Sequence, residues 1–87
     1  MNTHDAVIKI ISIYSGVDKD DFGPDNKLTE QPLNFDGNGL KYLAGALRSY
    51  VRAVTGDDSK TIKKKDIAKS GFTVEKTIEL VEGKINA

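Results

Sequence analysis

Apolar residues recur along this chain with a helical period in three places. Val7, Ile10, Ile11 and Tyr14 follow the i, i+3, i+4, i+7 spacing of a single helix face. Thr3 is the expected N-cap, and Gly16 can take the left-handed conformation that ends a helix, which predicts a first helix over residues 3–15. The clearest pattern is Leu40, Leu43, Ala44, Leu47, Val51 and Val54, which line one face for about four turns. Asp36 is placed to cap this second helix, its carboxylate accepting from free first-turn amides, and Gly56 suits its end. Gly37 and Gly39 make a loose first turn, since each costs up to about 1 kcal/mol relative to alanine in a helix interior. Val74, Ile78, Val81 and Ile85 mark the last helix, with Thr73 as its N-cap and Glu75 favourable to the dipole in its first turn.

The connections are as informative as the helices. Residues 16–36 hold Gly16, Gly23, Pro24 and Pro32, with Val17, Phe22, Leu28, Leu33 and Phe35 irregularly spaced, as in a long loop pinned to a core at several points. Loops of this length inside a small domain are usually functional. Residues 57–65 read as a polar connection, and residues 66–69 as a short helical turn before Ser70 and Gly71. No strand pattern competes and no segment repeats. The expectation is an all-α fold, a single domain over residues 1–87: a four-helix bundle with a long first loop and a short third helix. Val7, Ile10, Ile11, Leu43, Leu47, Val51, Val74, Ile78 and Val81 are its expected core.

Composition narrows the function classes. The 87 residues suffice for one small core, and 38% hydrophobic with 30% charged residues is an ordinary globular balance, away from disorder. Without cysteine there is neither a disulfide framework nor a thiolate metal site. No run approaches the roughly 18 apolar residues of a membrane span, and no basic-then-apolar leader opens the chain, so a soluble, cytoplasmic domain is expected. His4, the lone histidine, has no second ligand at metal spacing. Asp18, Asp20, Asp21 and Asp25 lack the register of a calcium loop and read as solvated carboxylates. No serine, histidine and acid constellation is available, so the chain is not expected to be an enzyme.

The zero net charge hides an asymmetry. Asp18, Asp20, Asp21, Asp25, Glu30 and Asp36 face only Lys19 and Lys27 in the loop, whereas the second helix carries Lys41, Arg48 and Arg52 with no acid. Lys60, Lys63, Lys64, Lys65 and Lys69 then outnumber Asp57, Asp58 and Asp66. Such polarity bears on partners rather than on fold. Tyr42 and Tyr50 lie off the buried stripe; they either cover its flank or join Lys41 in an interaction surface. Nucleic acid is disfavoured, because no aromatic side chains are interleaved with the lysines and the chain is not basic overall. A monomer with protein partners is expected.

Four passages taken together resemble the acyl carrier protein family over nearly the whole chain. They are Ile10-Ile11 with Gly16-Val17-Asp18, Asp20-Asp21-Phe22 through Pro24-Asp25 and Leu28, Leu33 through Asp36, and Phe72-Thr73-Val74 with Ile78. None is diagnostic alone; their order and spacing carry the resemblance. It implies a link to fatty-acid, polyketide or related acyl metabolism, with acyl-metabolism enzymes as partners. It also implies a serine after an aspartate at the start of the second helix, bearing 4'-phosphopantetheine. Matching Leu43, Ala46-Leu47 and Val51 to the family's core positions puts Gly37 on that serine. A shifted reading takes Asn38-Gly39-Leu40 as the counterpart of the family's aspartate-serine-leucine motif, and it too puts glycine in the serine position. Neither has a hydroxyl to attack coenzyme A, so no phosphopantetheine is expected on this chain. The family's second helix is usually acidic, and here Lys41, Tyr42, Arg48 and Arg52 form the expected partner-binding face instead. Two origins fit the glycine: natural divergence, or an engineered serine replacement. The basic helix favours the first, since one replacement would not alter Lys41, Arg48 and Arg52. The competing class is a small interaction module that uses this fold and basic face for a protein or anionic partner outside acyl metabolism.

Overall fold

Capping chemistry sets where each helix begins and ends. The computed structural model describes residues 2–87. Helix α1 (Thr3–Ser15) is capped by Asn2, whose side-chain oxygen accepts from the Asp5 amide at 2.8 Å. Thr3 is therefore the first helical residue and not the N-cap; the Asn2 carbonyl already takes the Ala6 amide, at 3.0 Å. A single 3-10 turn follows (Lys19–Asp21), capped by Asp18. Helix α2 (Gly37–Thr55) starts at Asp36 and stops at Gly56, which has φ 71°. Both early glycines lie inside it. Helix α3 (Lys64–Ile67) lies two residues earlier than the sequence pattern places it. The cause is Asp66, whose carboxylate accepts from the Lys63 amide at 2.9 Å and so closes the first turn from its third position. Helix α4 (Val74–Asn86) is capped by the Thr73 hydroxyl.

The α-helices pack with α1 against α2 and α4, and α2 against α3 and α4. Among the described residues there is no strand, only an isolated bridge between Lys27 and Thr73. Val7, Ile11, Leu43, Leu47, Val51, Val74, Ile78 and Val81 are buried together, as the periodicity predicts. Leu40 and Ala44 complete the stripe of α2. Ile10 is only half-buried against this cluster, and Tyr14 is 48% exposed, so the face of α1 that packs is narrower than its sequence pattern. Val54, at the C-terminal end of the α2 stripe, is 51% exposed. Ile62, within a segment that reads as polar connection, is 3% exposed, and Ile67 of α3 is fully buried.

The long loop is tied down by its own backbone. Leu28 donates to the Phe72 carbonyl at 3.0 Å, and Phe35 donates back to Leu28 at 2.9 Å. In the other direction, the first two amides of α4 donate to loop carbonyls, Val74 to Asn26 at 2.9 Å and Glu75 to Pro24 at 3.0 Å. With the Thr73 hydroxyl accepting from Lys76 at 3.2 Å, the free donors that any helix leaves at its start are matched. Thr77, fully buried, satisfies its hydroxyl on the Thr73 carbonyl at 2.9 Å. Leu28, Leu33 and Phe35 follow this backbone into the core. At the opposite end of α4, the Lys60 ammonium donates to the carbonyls of Lys84 and Ala87 at 2.7 and 2.8 Å, binding the α2–α3 connection to the helix C-terminus.

Leu28 is 0% exposed although it lies in a loop. Leu28→Ala is expected to cost about 2–5 kcal/mol in chemical denaturation, as for a core leucine, whereas Val54→Ala on the apolar stripe of α2 should stay within about 0.5 kcal/mol.

Candidate functional site

The loop delivers Asp36 to the start of α2, and the geometry there follows from that one residue. Its backbone is extended, and its carboxylate oxygen Oδ1 accepts from the Gly39 amide at 2.7 Å while its carbonyl accepts from Leu40 at 2.9 Å. Among the described residues, the amides of Gly37 and Asn38 have no protein acceptor. The start of α2 is thus open to solvent where that of α4 is closed. Phe35, buried just before the cap, fixes the angle at which the chain enters the helix.

Gly37 and Gly39 differ sharply in what surrounds them. A Cβ at Gly37 would meet only the end of the Lys64 side chain, with Nζ at 3.0 Å and Cε at 3.8 Å. That lysine is exposed and its end can move. A Cβ at Gly39 would lie 3.2 Å from Asp36 Oδ1 and 3.2 Å from Phe35 Cδ1, the cap and a buried ring. Neither glycine has a positive φ, so neither is required by backbone conformation. Of the two registers that the sequence leaves open for an attachment position, only at Gly37 is the obstruction a side-chain end that can move aside.

The partner-facing residues expected from sequence all lie on the solvent side of α2. Lys41, Tyr42, Arg48 and Arg52 are exposed, Tyr42 at 65%. Arg52 pairs with Asp58 just beyond the helix, Nε to Oδ1 at 3.5 Å. Lys41 and Arg48 have no carboxylate within 4.0 Å among the described residues. Tyr42 and Tyr50 separate: Tyr50 is half-buried against the core and covers the flank, and only Tyr42 belongs to the surface. Gly45 sits between Tyr42 and Arg48, with nothing within 4 Å of where its Cβ would be.

Other reactive groups are held elsewhere. Ser59 follows Asp58, but in the turn after α2, where its hydroxyl donates to Asp57 at 2.6 Å. This bond and the Ser59 amide hold the Asp57 carboxyl below the usual carboxylate range. Asp18, Asp20, Asp21, Asp25 and Glu30 are all exposed, and Asp18 is occupied as the cap of the 3-10 turn. No group of three or more histidine or carboxylate side chains converges as a metal site among the described residues. No helix is long and apolar enough to cross a membrane among the described residues. A shallow groove on the outer side of α1, lined by Asp5, Ile8, Lys9, Ser12, Ile13 and Lys19, has no counterpart in the sequence reading. Exposed Ile13 was the available signal, but one apolar residue on a polar helix face is common.

The chain matches no protein-family model, no curated protein and no solved structure. Asp36→Ala should cost about 1 kcal/mol of stability through loss of the cap. Gly37→Ala is expected to be neutral or stabilising by up to about 1 kcal/mol, and Gly39→Ala less favourable than that because its Cβ crowds the cap. Urea denaturation of the three variants checks the order.

Proposed function

We propose that this chain is an acyl-carrier-like domain, linked to fatty-acid, polyketide or related acyl metabolism, that carries no phosphopantetheine and works by protein contact. Support comes from the agreement between its residue order and its helices: a long pinned loop, a capping aspartate, and the exposed position after it at the open start of α2. The observation that carries the reading is Gly37. The site can take a side chain once the end of Lys64 moves aside, and it has an aspartate immediately before it, but no hydroxyl. In a loading reaction that hydroxyl would attack the β-phosphate of coenzyme A, displacing 3',5'-adenosine diphosphate. Glycine supplies no nucleophile for the step, so the domain does not accept the arm at this position.

The basic face of α2 favours a second reading, a binding module outside acyl metabolism. A helix bearing Lys41, Arg48 and Arg52 without an acid repels the basic surfaces that recognise acidic carrier helices. Genes for acyl synthases or ligases beside this one would favour the first reading, and their absence the second.

Incubation with coenzyme A and a broad-specificity phosphopantetheinyl transferase, followed by intact mass, tests the proposal. The chain should stay at its own mass, and Gly37→Ser should gain one phosphopantetheine. A gain on the unaltered chain would overturn the proposal and direct mapping first to Ser59, the serine that follows an aspartate. If Gly37→Ser stays unloaded, the surface that a transferase recognises has diverged along with the acceptor.

A further inference from the structure

The solvent face of α2 has a definite layout. On a helical projection Arg48, Lys41 and Arg52 fall within about 40° of one another, at i, i+7 and i+11 from Lys41, and span about 16 Å of helix axis. Gly45 adjoins this stripe, and Ser49 and Tyr42 lie beyond it on the other side. The face therefore has a cationic edge, a low centre at Gly45 where nothing projects, and an aromatic edge at Tyr42. No other helix covers it, because α1, α3 and α4 pack on the opposite side through Leu40, Leu43, Ala44, Leu47 and Val51.

We infer that this face docks an acidic amphipathic helix of a partner protein, its carboxylates against Lys41, Arg48 and Arg52 and its apolar side chains against Tyr42 across the low centre at Gly45. The inference deepens the proposed function and rests on its claim that the domain acts by contact through α2. Charge complementarity selects the partner. Three cations with no acid among them on α2 favour carboxylates, and two of the three are unpaired among the described residues. Arg48 and Arg52 offer planar guanidinium forks that match carboxylates. The missing side chain at Gly45 admits close approach by a rod-like element, and Tyr42 supplies exposed aromatic area of the kind that anchors interfaces. The groove on α1, by contrast, mixes Asp5 with Lys9 and Lys19 and expresses no charge preference.

The test uses fluorescein-labelled helical peptides and fluorescence anisotropy with the full chain. Two carry glutamates spaced to meet the stripe, at i, i+7, i+11 for a parallel partner and i, i+4, i+11 for an antiparallel one, with leucines beside them. A third has the same composition with the spacing shuffled. One matched peptide should bind at least about tenfold tighter than the shuffled one, weaken as salt rises, and lose about tenfold with Arg48→Glu or Tyr42→Ala. Circular dichroism confirms that these exposed substitutions leave the helices intact. Equal binding of matched and shuffled peptides would overturn the inference, as would tighter binding of a single-stranded oligonucleotide. So would a self-association, seen by sedimentation, that Arg48→Glu abolishes, because the face would then be covered by a second copy. Failure here with the unaltered chain still unloaded removes only the partner. Loading of the unaltered chain with peptide binding intact removes only the unloaded-carrier reading.

Discussion

The exchange of backbone hydrogen bonds between the long loop and the start of α4 is what the rest of the structure depends on. A loop of some twenty residues without regular structure would ordinarily leave its amides and carbonyls to water and its path undefined. Here Asn26 and Pro24 accept from the first amides of α4, and Leu28 donates to Phe72. Each segment satisfies groups that the other would leave open. The apolar residues Leu28, Leu33 and Phe35 then enter the core at fixed points, and Phe35 sets the position of Asp36. The start of α2, and with it the candidate site, is positioned by contacts made at the far end of the chain.

This division separates stability from recognition. The buried faces of α1, α2 and α4 share one apolar cluster, while the charge of each sign lies outside it, acids on the loop and cations on α2 and around α3. Exposed pairs such as Lys27 with Glu30 and Arg52 with Asp58, both at 3.5 Å, contribute little to holding the fold. The charges of such pairs are therefore free to vary with the partner, whereas the loop's anchors and the capping carboxylates of Asp36 and Asp66 are not.

The helices were legible in the sequence wherever a period and a cap coincided. Asp36 and Gly56 bracket α2 as the pattern predicts, because both ends are set by local chemistry. Where two capping residues compete, the pattern misleads. Asn2 takes the role expected of Thr3, and Asp66 closes the first turn of α3 from within instead of opening a later one. Burial of Ile62 and exposure of Val54 were not legible, since each depends on which segment lies opposite in space and not on its own neighbours in sequence. The candidate site was legible as a pair of glycines after an aspartate. Which of them could yield to a side chain was not, because the obstruction at Gly39 comes from the cap and the buried Phe35 ring, whereas at Gly37 it is the movable end of Lys64.

The movable contact at Gly37 also bears on how readily this position changes. Its backbone already has a conformation open to any residue, and the one neighbour in reach is the movable end of Lys64. A hydroxyl at this position is a single residue change that asks only the end of Lys64 to shift. Reversing the charge of α2 would take several independent changes at Lys41, Arg48 and Arg52. On the carrier-like reading proposed above, position 37 is the part of the molecule that changes most readily. On the same reading the basic face changes slowly, and a lasting choice of partner would leave its record there.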